Sequence, residues 1–259
     1  MRILFISDIF GKPGRKALMR MLPGLVSEHR ADFVVANAEN AASGAGLTSK
    51  IASTLLGGGV DIITTGNHVW RQREIFDYLD ASDRVIRPAN YLESNPGRGW
   101  TVVEKDGASL AVVNLAGNLY MGTTTGAFQV IGDVLEQIPP EVRHILVDFH
   151  AEATSEKVAM GHLLDGKVTA VIGTHTHVQT SDDKVLPLGT AYITDAGMTG
   201  PQNSVIGVDK NIILKRFLTQ MPVKFEVADE DVCVEGVVVE ADDEGRALSI
   251  ERLRLREES

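Results

Sequence analysis

Val168-Thr169-Ala170-Val171-Ile172-Gly173 runs as a short apolar stretch into Thr174-His175-Thr176-His177, and the reading of the chain turns on this passage. A run of this length and β-branched content is a candidate buried strand. The polar residues at its end do not stand alone, because Asp8, Asn67-His68 and His150 also follow strand-like runs. In an open α/β sheet, residues just beyond the carboxyl ends of parallel strands converge on one crevice, however far apart they lie in the chain. Carboxylate, amide oxygen and imidazole suit first-row transition metals, whereas a thiolate site needs cysteines. Cys233 is the single cysteine, so a buried oxygen- and nitrogen-liganded metal site is expected.

The 259 residues are enough to bury a substantial core, either in one large α/β domain or in two small ones. A composition 44% hydrophobic and 23% charged, without a low-complexity tract, is that of an ordered globular chain. The 35 acidic and 25 basic residues give a formal charge of −10, which opposes nonspecific attraction to nucleic acid or an anionic membrane. No basic, aromatic-rich stripe offers a nucleic-acid surface. A phosphate-bearing substrate therefore needs local positive charge, which a bound metal pair supplies whatever the overall sign. One cysteine excludes an intramolecular disulfide framework. The opening Met1-Arg2-Ile3-Leu4-Phe5-Ile6-Ser7 runs into Asp8 without a small-residue cleavage site and reads as a first strand. No apolar run approaches the roughly 20 residues that span a bilayer. A cytoplasmic protein with no membrane association is expected.

Short β-rich runs alternate with longer mixed segments, the order of βαβ construction. Strands are expected over Ile3 to Ser7, Phe33 to Ala36, Asp61 to Thr64, His144 to Phe149 and Val168 to Gly173. Helices are expected over Arg15 to His29, with Pro23 a kink or break, and over Ser49 to Leu56, Arg71 to Leu79 and Ser155 to Leu164. Trp100 to Glu104 and Ser109 to Asn114 flank Asp106-Gly107 as a hairpin, and Val232 to Glu240 and Arg246 to Arg254 flank Asp242-Asp243-Glu244-Gly245 as another. The mixture predicts an α/β architecture of two packed mixed β-sheets with helices outside. No composition shift marks a linker.

Taken in order, Ser7-Asp8, Asn37-Ala38-Glu39-Asn40, Gly66-Asn67-His68, His150 and Gly173-Thr174-His175-Thr176-His177 resemble the motifs of calcineurin-like metallophosphoesterases, and most closely those of their YmdB-like branch. The resemblance covers nearly the whole chain and implies a single metallophosphoesterase domain over 1-259 with an αββα sandwich fold. The chain departs from most of the superfamily twice. Phe10 stands at the histidine position of an Asp-x-His motif, and Glu39 stands where a bridging aspartate is usual. The YmdB-like pattern absorbs both, with Glu39 as the bridge and Asn40 as the replacement ligand.

Carried over by position, the resemblance implies one metal ion on Asp8, Glu39, Asn40 and His177, and a second on Glu39, Asn67, His150 and His175. Two divalent or mixed-valence ions against two carboxylates and one hydroxide leave the site positive by about one charge on formal counting. Iron is the implied metal, followed by manganese or zinc. His68 is implied to be catalytic, giving a proton to the leaving oxygen while a metal-activated hydroxide attacks phosphorus in line. The implied substrate is a small phosphodiester, a 2′,3′-cyclic nucleotide in particular, and a homo-oligomer is implied by the family alone. A phosphomonoesterase of the same fold, or a regulatory binding protein with little catalysis, is the alternative. A His-x-His amidohydrolase fits poorly, because its pair falls early in a barrel of eight βα units and here the pair comes last.

Each residue also has a plainer explanation. Asp8 and Asn40 suit loop or capping positions, Asn67-His68 a turn and helix start, and His150 a hydrogen-bonded interior. His29, His144 and His162 match no motif. Gly57-Gly58-Gly59 lacks P-loop spacing and reads as a helix-ending turn. Lys12 and Arg15 belong to a solvated helix start more readily than to a substrate site, and the Gly- and Thr-rich Asn118 to Phe128 is a weak candidate to border the site.

Overall fold

Alternation along the opening strand sets up the layers. In β1 (Arg2–Ile6), Leu4 and Ile6 join one core cluster while Ile3 and Phe5 join another, because successive side chains of a strand point to opposite faces. A strand covered on both faces reads as continuously apolar, as this one does. The computed structural model describes residues 1–122 and 125–257.

The chain continues through β2 (Asp8–Ile9), α1 (Gly11–His29), β3 (Phe33–Asn37), α2 (Ser49–Gly57), β4 (Ile62–Thr64), α3 (Ile75–Ala81), β5 (Trp100–Lys105) and β6 (Ala108–Ala116). There follow α4 (Ala127–Gln137), β7 (His144–His150), α5 (Thr154–Leu164), β8 (Ala170–Thr174), β9 (Lys184–Val185), β10 (Ala191–Ile193), β11 (Met198–Pro201), α6 (Lys210–Thr219), β12 (Val232–Ala241) and β13 (Ala247–Arg256). One sheet has the order β2-β11-β12-β1-β3-β4, with β13 added to β12, and the other has the order β5-β6-β7-β8-β10-β9. The central strands β1, β3 and β4 run parallel, as do β6, β7, β8 and β10. Antiparallel pairs β5-β6 and β12-β13 make both sheets mixed.

Between the sheets, Phe5, Phe33, Val35 and Ile62 meet Leu110, Val112, Leu146, Ile172 and Ile193. Each fully buried phenylalanine there contributes about 1.5–3 kcal/mol by the area it removes from water. Leu18, Leu22, Ala52, Leu55 and Leu79 of α1, α2 and α3 cover the outer face of the first sheet. Ile131, Val134, Met160 and Leu164 of α4 and α5 cover that of the second. The expected αββα arrangement is therefore observed.

Local differences have local causes. Pro23 lies inside an uninterrupted α1, which begins at Gly11 rather than at Arg15. The helix expected from Arg71 to Leu79 is divided into a 3₁₀ turn, Val69–Arg71, and α3, because Gln72 is extended and its side chain reaches away to donate to the Ala45 carbonyl at 3.0 Å. Asp106 and Gly107 form the expected tight turn, with φ of 52° and 81°. Gly58 caps α2, as the glycine run suggested.

Candidate metal centre

Strands from both sheets deliver their polar ends to one place. Asp8 opens β2, paired with Met198 of β11. Glu39 and Asn40 lie in the turn after β3, where the Glu39 amide donates to Asn37 Oδ1 at 3.1 Å. Asn67 and His68 follow β4, and His150 ends β7. Gly66 permits the closure: a Cβ there would collide with Glu39 Oε2 and the His150 ring. Glycine is needed here for close approach.

His175 and His177 do not share a strand face. β8 ends at Thr174, and both histidines lie in the following loop with positive φ, 101° and 63°. Such conformations cost about 1–3 kcal/mol each and persist only where the surroundings enforce them. Here the His175 amide donates to Asp8 Oδ2 at 3.0 Å. The amide and hydroxyl of Thr176 donate to Asp195 Oδ2 at 3.0 and 2.8 Å. Asp195 is itself paired with the buried Lys157 Nζ at 2.7 Å.

Each histidine of the centre is anchored by one ring nitrogen and presents the other inward. His150 Nδ1 donates to Thr174 Oγ1 at 2.9 Å, and that hydroxyl donates to Asp148 Oδ1 at 2.7 Å. Asp148 also accepts from Thr64 and Asn37. His175 Nε2 faces Glu152 Oε2 at 3.1 Å, and His177 Nδ1 donates to the Ile206 carbonyl at 3.0 Å. Engagement of the outer nitrogen fixes tautomer and ring orientation in metal-binding histidines.

Acceptors crowd the centre beyond what protein donors satisfy. His150 Nε2 has Glu39 Oε2, Asn67 Oδ1 and His175 Nδ1 each at 3.1 Å, and one N–H cannot serve all three. Asp8 Oδ1 is buried without a donor, His150 Nδ1 being 3.8 Å away and too far for a hydrogen bond. Burial holds the Asp8 carboxyl well above the usual range, against the pull of His150 and with the push of Glu39. Burial opposes ionisation of Glu39, yet the charge and hydrogen bond of His150, aided by His68, hold it well below. Burial likewise disfavours a charged His150, but Glu39 overrides it and lifts the pKa to about 9. Burial and then His150 push His175 down to about 3, and burial lowers His177. Glu39, His150 and His175 offer ligand atoms within 4.8 Å of one another. An orphaned carboxylate oxygen and surplus oxygen and nitrogen acceptors, with no thiolate, fit divalent transition metals.

All eight residues singled out from the sequence are brought together. Asn40 is turned differently from the ligand role implied for it: its Nδ2 faces Glu39 Oε1 and His177 Nε2, both at 3.0 Å, and its Oδ1 meets His68 Nδ1 at 2.7 Å. A half-turn of the amide exchanges the two atoms. Phe10 packs edge-on to His177, with ring centroids 5.5 Å apart. Arg15 donates to the Ala41 carbonyl, and neither it nor Lys12 lines the cavity above the centre. Residues 123 and 124 of the Gly- and Thr-rich segment lie outside the described residues, and none of the described ones from Asn118 to Phe128 lines the cavity.

Sequence reasoning missed Asp148, Lys157, Asp195 and Arg71. Asp195 follows the apolar run of β10, so the strand-end rule would have found it had that short strand been recognised. Asp148 lies two residues before His150 on the same strand. Arg71 is the only lysine or arginine among the described residues lining the cavity of about 560 Å³, and it carries no motif.

Two mixed sheets between helices, with oxygen and nitrogen ligand candidates at their strand ends, define a hydrolase of the metallophosphoesterase class. A 5′-nucleotidase precursor from Thermus thermophilus shares the fold with a TM-score of 0.56 at 13% identity, over 99% of this chain and 54% of that one. More closely, the chain belongs to the YmdB-like family, whose profile, described as YmdB-like protein, matches residues 4–253. It is 46% identical over 259 residues to the 2′,3′-cyclic-nucleotide 2′-phosphodiesterase of Bacillus subtilis (strain 168), covering 100% of this chain and 98% of the relative. A crystal structure of a phosphatase from Mycoplasma pneumoniae superposes with a TM-score of 0.92 at 36% identity, covering 99% and 93% of the two chains.

Proposed function

We propose that the chain hydrolyses 2′,3′-cyclic nucleotides at a dinuclear metal centre, breaking one P–O bond of the cyclic phosphate. The convergence of Asp8, Glu39, Asn40, Asn67, His150, His175 and His177 in one cluster at the base of the cavity, four of them buried, carries the metal chemistry. The Bacillus relative, similar over 98% of its length, supplies the choice of ester. Asp8, Glu39, Asn40 and His177 would hold one ion, and Glu39, Asn67, His150 and His175 the other, with iron preferred over manganese or zinc. Two such ions, when bound, would polarise phosphoryl oxygens and acidify an attacking water.

The remaining work falls to the chain itself. His68 is anchored through Nδ1, 2.7 Å from Asn40 Oδ1 and 3.1 Å from Glu39 Oε1, and no protein partner among the described residues engages Nε2. That nitrogen delivers the proton to the leaving oxygen. Arg71 steadies a phosphate oxygen at the rim, offsetting a formal charge of −10 that disfavours anions. Neither sheet alone carries the ligand set, so residues 1–259 act as one metallophosphoesterase domain.

The test is turnover of a 2′,3′-cyclic nucleotide by metal-stripped protein, with and without ferrous or manganous ion, and with Glu39→Gln as control. Hydrolysis restored by metal and absent in the variant is expected. His68→Ala should keep its metal and lose about 100- to 10,000-fold in turnover, the usual worth of a positioned acid. Unchanged turnover would remove that role. The phosphatase from Mycoplasma pneumoniae favours a second reading, phosphomonoester hydrolysis. Turnover of a nucleoside monophosphate in place of the cyclic ester would select it, and two bound ions without turnover of either would point to a binding role.

A further inference from the structure

The cavity has two unlike sides. Glu39, Asn40, His68, His175 and His177 form a polar floor, whereas Phe10, Ile206, Val208 and Phe225 form an apolar wall. Phosphoryl transfer accounts for the floor and leaves the wall unexplained. Phe10 is buried edge-on against His177, with Gly44 and Gly207 pressed against its ring, so its faces are closed. Phe225, by contrast, is 48% exposed. Exposure here does not come from a loose loop. Val208 and Val227 form an antiparallel bridge, the Asp209 amide donates to the Glu226 carbonyl at 2.9 Å, and the Ala228 amide donates to the Gly207 carbonyl at 3.0 Å.

The Arg216 guanidinium from α6 lies 5.0 Å from the Phe225 ring centroid and occupies one face of the ring. Ile206 ties wall to floor. Its positive φ of 48° is an outlier for a β-branched residue. In this conformation its carbonyl accepts from His177 Nδ1 while its side chain lines the cavity, 53% exposed. The wall is thereby held in register with the metal centre. A cavity of about 560 Å³ falls within the range of small-molecule sites.

We propose that Phe225, backed by Arg216 and flanked by Ile206 and Val208, is the nucleobase platform of this site, a specificity determinant that stacks the base while the floor holds the cyclic phosphate. The proposal rests on the cyclic-nucleotide reading above and adds the group that distinguishes a nucleotide from other phosphodiesters. Every base has a flat π-face, so the platform tolerates different bases and rejects esters that lack one. Arginine over one face adds a cation–π contact and stiffens the ring.

The experiment compares adenosine 2′,3′-cyclic phosphate with methyl ribofuranoside 2′,3′-cyclic phosphate, which has the same reacting ring and no base, on metal-loaded wild type, Phe225→Ala and Phe225→Trp. Stacking of one base on one aromatic ring translates into about a 10- to 100-fold loss of kcat/KM on truncation. Phe225→Ala is expected to lose that factor on the adenosine ester, mainly through KM. On the base-free ester it should match wild type, which also shows that the variant is folded and loaded. Phe225→Trp should recover the adenosine ester, and its new indole fluorescence should be quenched when that ester binds. Equal losses on both esters, or none on the adenosine ester, would overturn the platform. Wild type that hydrolyses the base-free ester no worse than the nucleotide would overturn it too, leaving phosphodiester hydrolysis intact. Failure of wild type on both esters would overturn the cyclic-nucleotide reading and the platform with it.

Discussion

Thr174 does for His150 what a backbone carbonyl does for His177: it occupies the outer nitrogen, so the inner one points into the centre. Its hydroxyl relays onward to Asp148, which is buried and held by two further donors. Thr174→Val keeps the shape and removes the relay. Metal affinity should fall about 10- to 100-fold, the usual effect of losing such an outer partner, with the folded state retained. Competition against a chelator measures it, and unchanged affinity would mean that packing alone orients His150. Asp8, Glu39 and the histidines were legible in the sequence because each follows an apolar run whose end must lie at a sheet edge. The facing of the Asn40 amide was not, because it is settled by His68 and His177, which reach it from distant parts of the chain.

The loop after β8 shows how an element carries strain. Two left-handed histidines flank Thr176, and Thr176 is fixed by Asp195, whose charge is balanced by Lys157 from α5. Lys157 is 1% exposed and Asp195 0%. Removing one partner of such a pair strands the other, so Lys157→Met should destabilise the protein by about 3–5 kcal/mol. Denaturant unfolding checks this, and a loss below about 1 kcal/mol, the value of an exposed pair, would refute it. The strands that carry the centre were readable because burial on both faces makes them continuously apolar. β9, β10 and β11, of two to four residues, were too short for any period to emerge, and β11 includes Gly200 and Pro201. The split at Gln72 escaped notice because its cause, the Ala45 carbonyl, lies 27 residues away.

Across the whole molecule, the centre links stability to pH. In the metal-free protein burial disfavours the His150 charge, but Glu39 prevails and raises its pKa from 6.5 to about 9. A group whose pKa is raised by folding contributes stability that is fully present below pH 6.5 and lost as pH climbs through 9. Metal binding needs the neutral imidazole, so affinity strengthens over the same interval. The gap in Tm between metal-loaded and metal-stripped protein should therefore widen from pH 6.5 to pH 9, as thermal unfolding with and without chelator would show. A constant gap would exclude His150 from the ligand set. The ion pair of His150 and Glu39, 3.1 Å apart, is thus strongest in the pH range where a divalent cation would bind least.

Asp8, Glu39, Asn40 and Asn67 come from strands of one sheet or the turns after them, while His150, His175 and His177 come from the end of the other, with the Phe5 and Phe33 cluster between the layers. Ions held by both sets would rivet the sandwich at one end, whereas its far end is joined by hydrophobic contact, the Lys105–Asp61 ion pair at 3.2 Å and the hydrogen bond between His144 Nε2 and the Asp242 carbonyl at 2.8 Å. Stripping them should let the two layers breathe apart at that mouth, so that amide protons of β4 and β7 near the riveted end exchange faster while those at the opposite end keep their pace. The same rivet would make the distance between the layers, and with it the height of the cavity, a property set by the radius of whichever metal is bound.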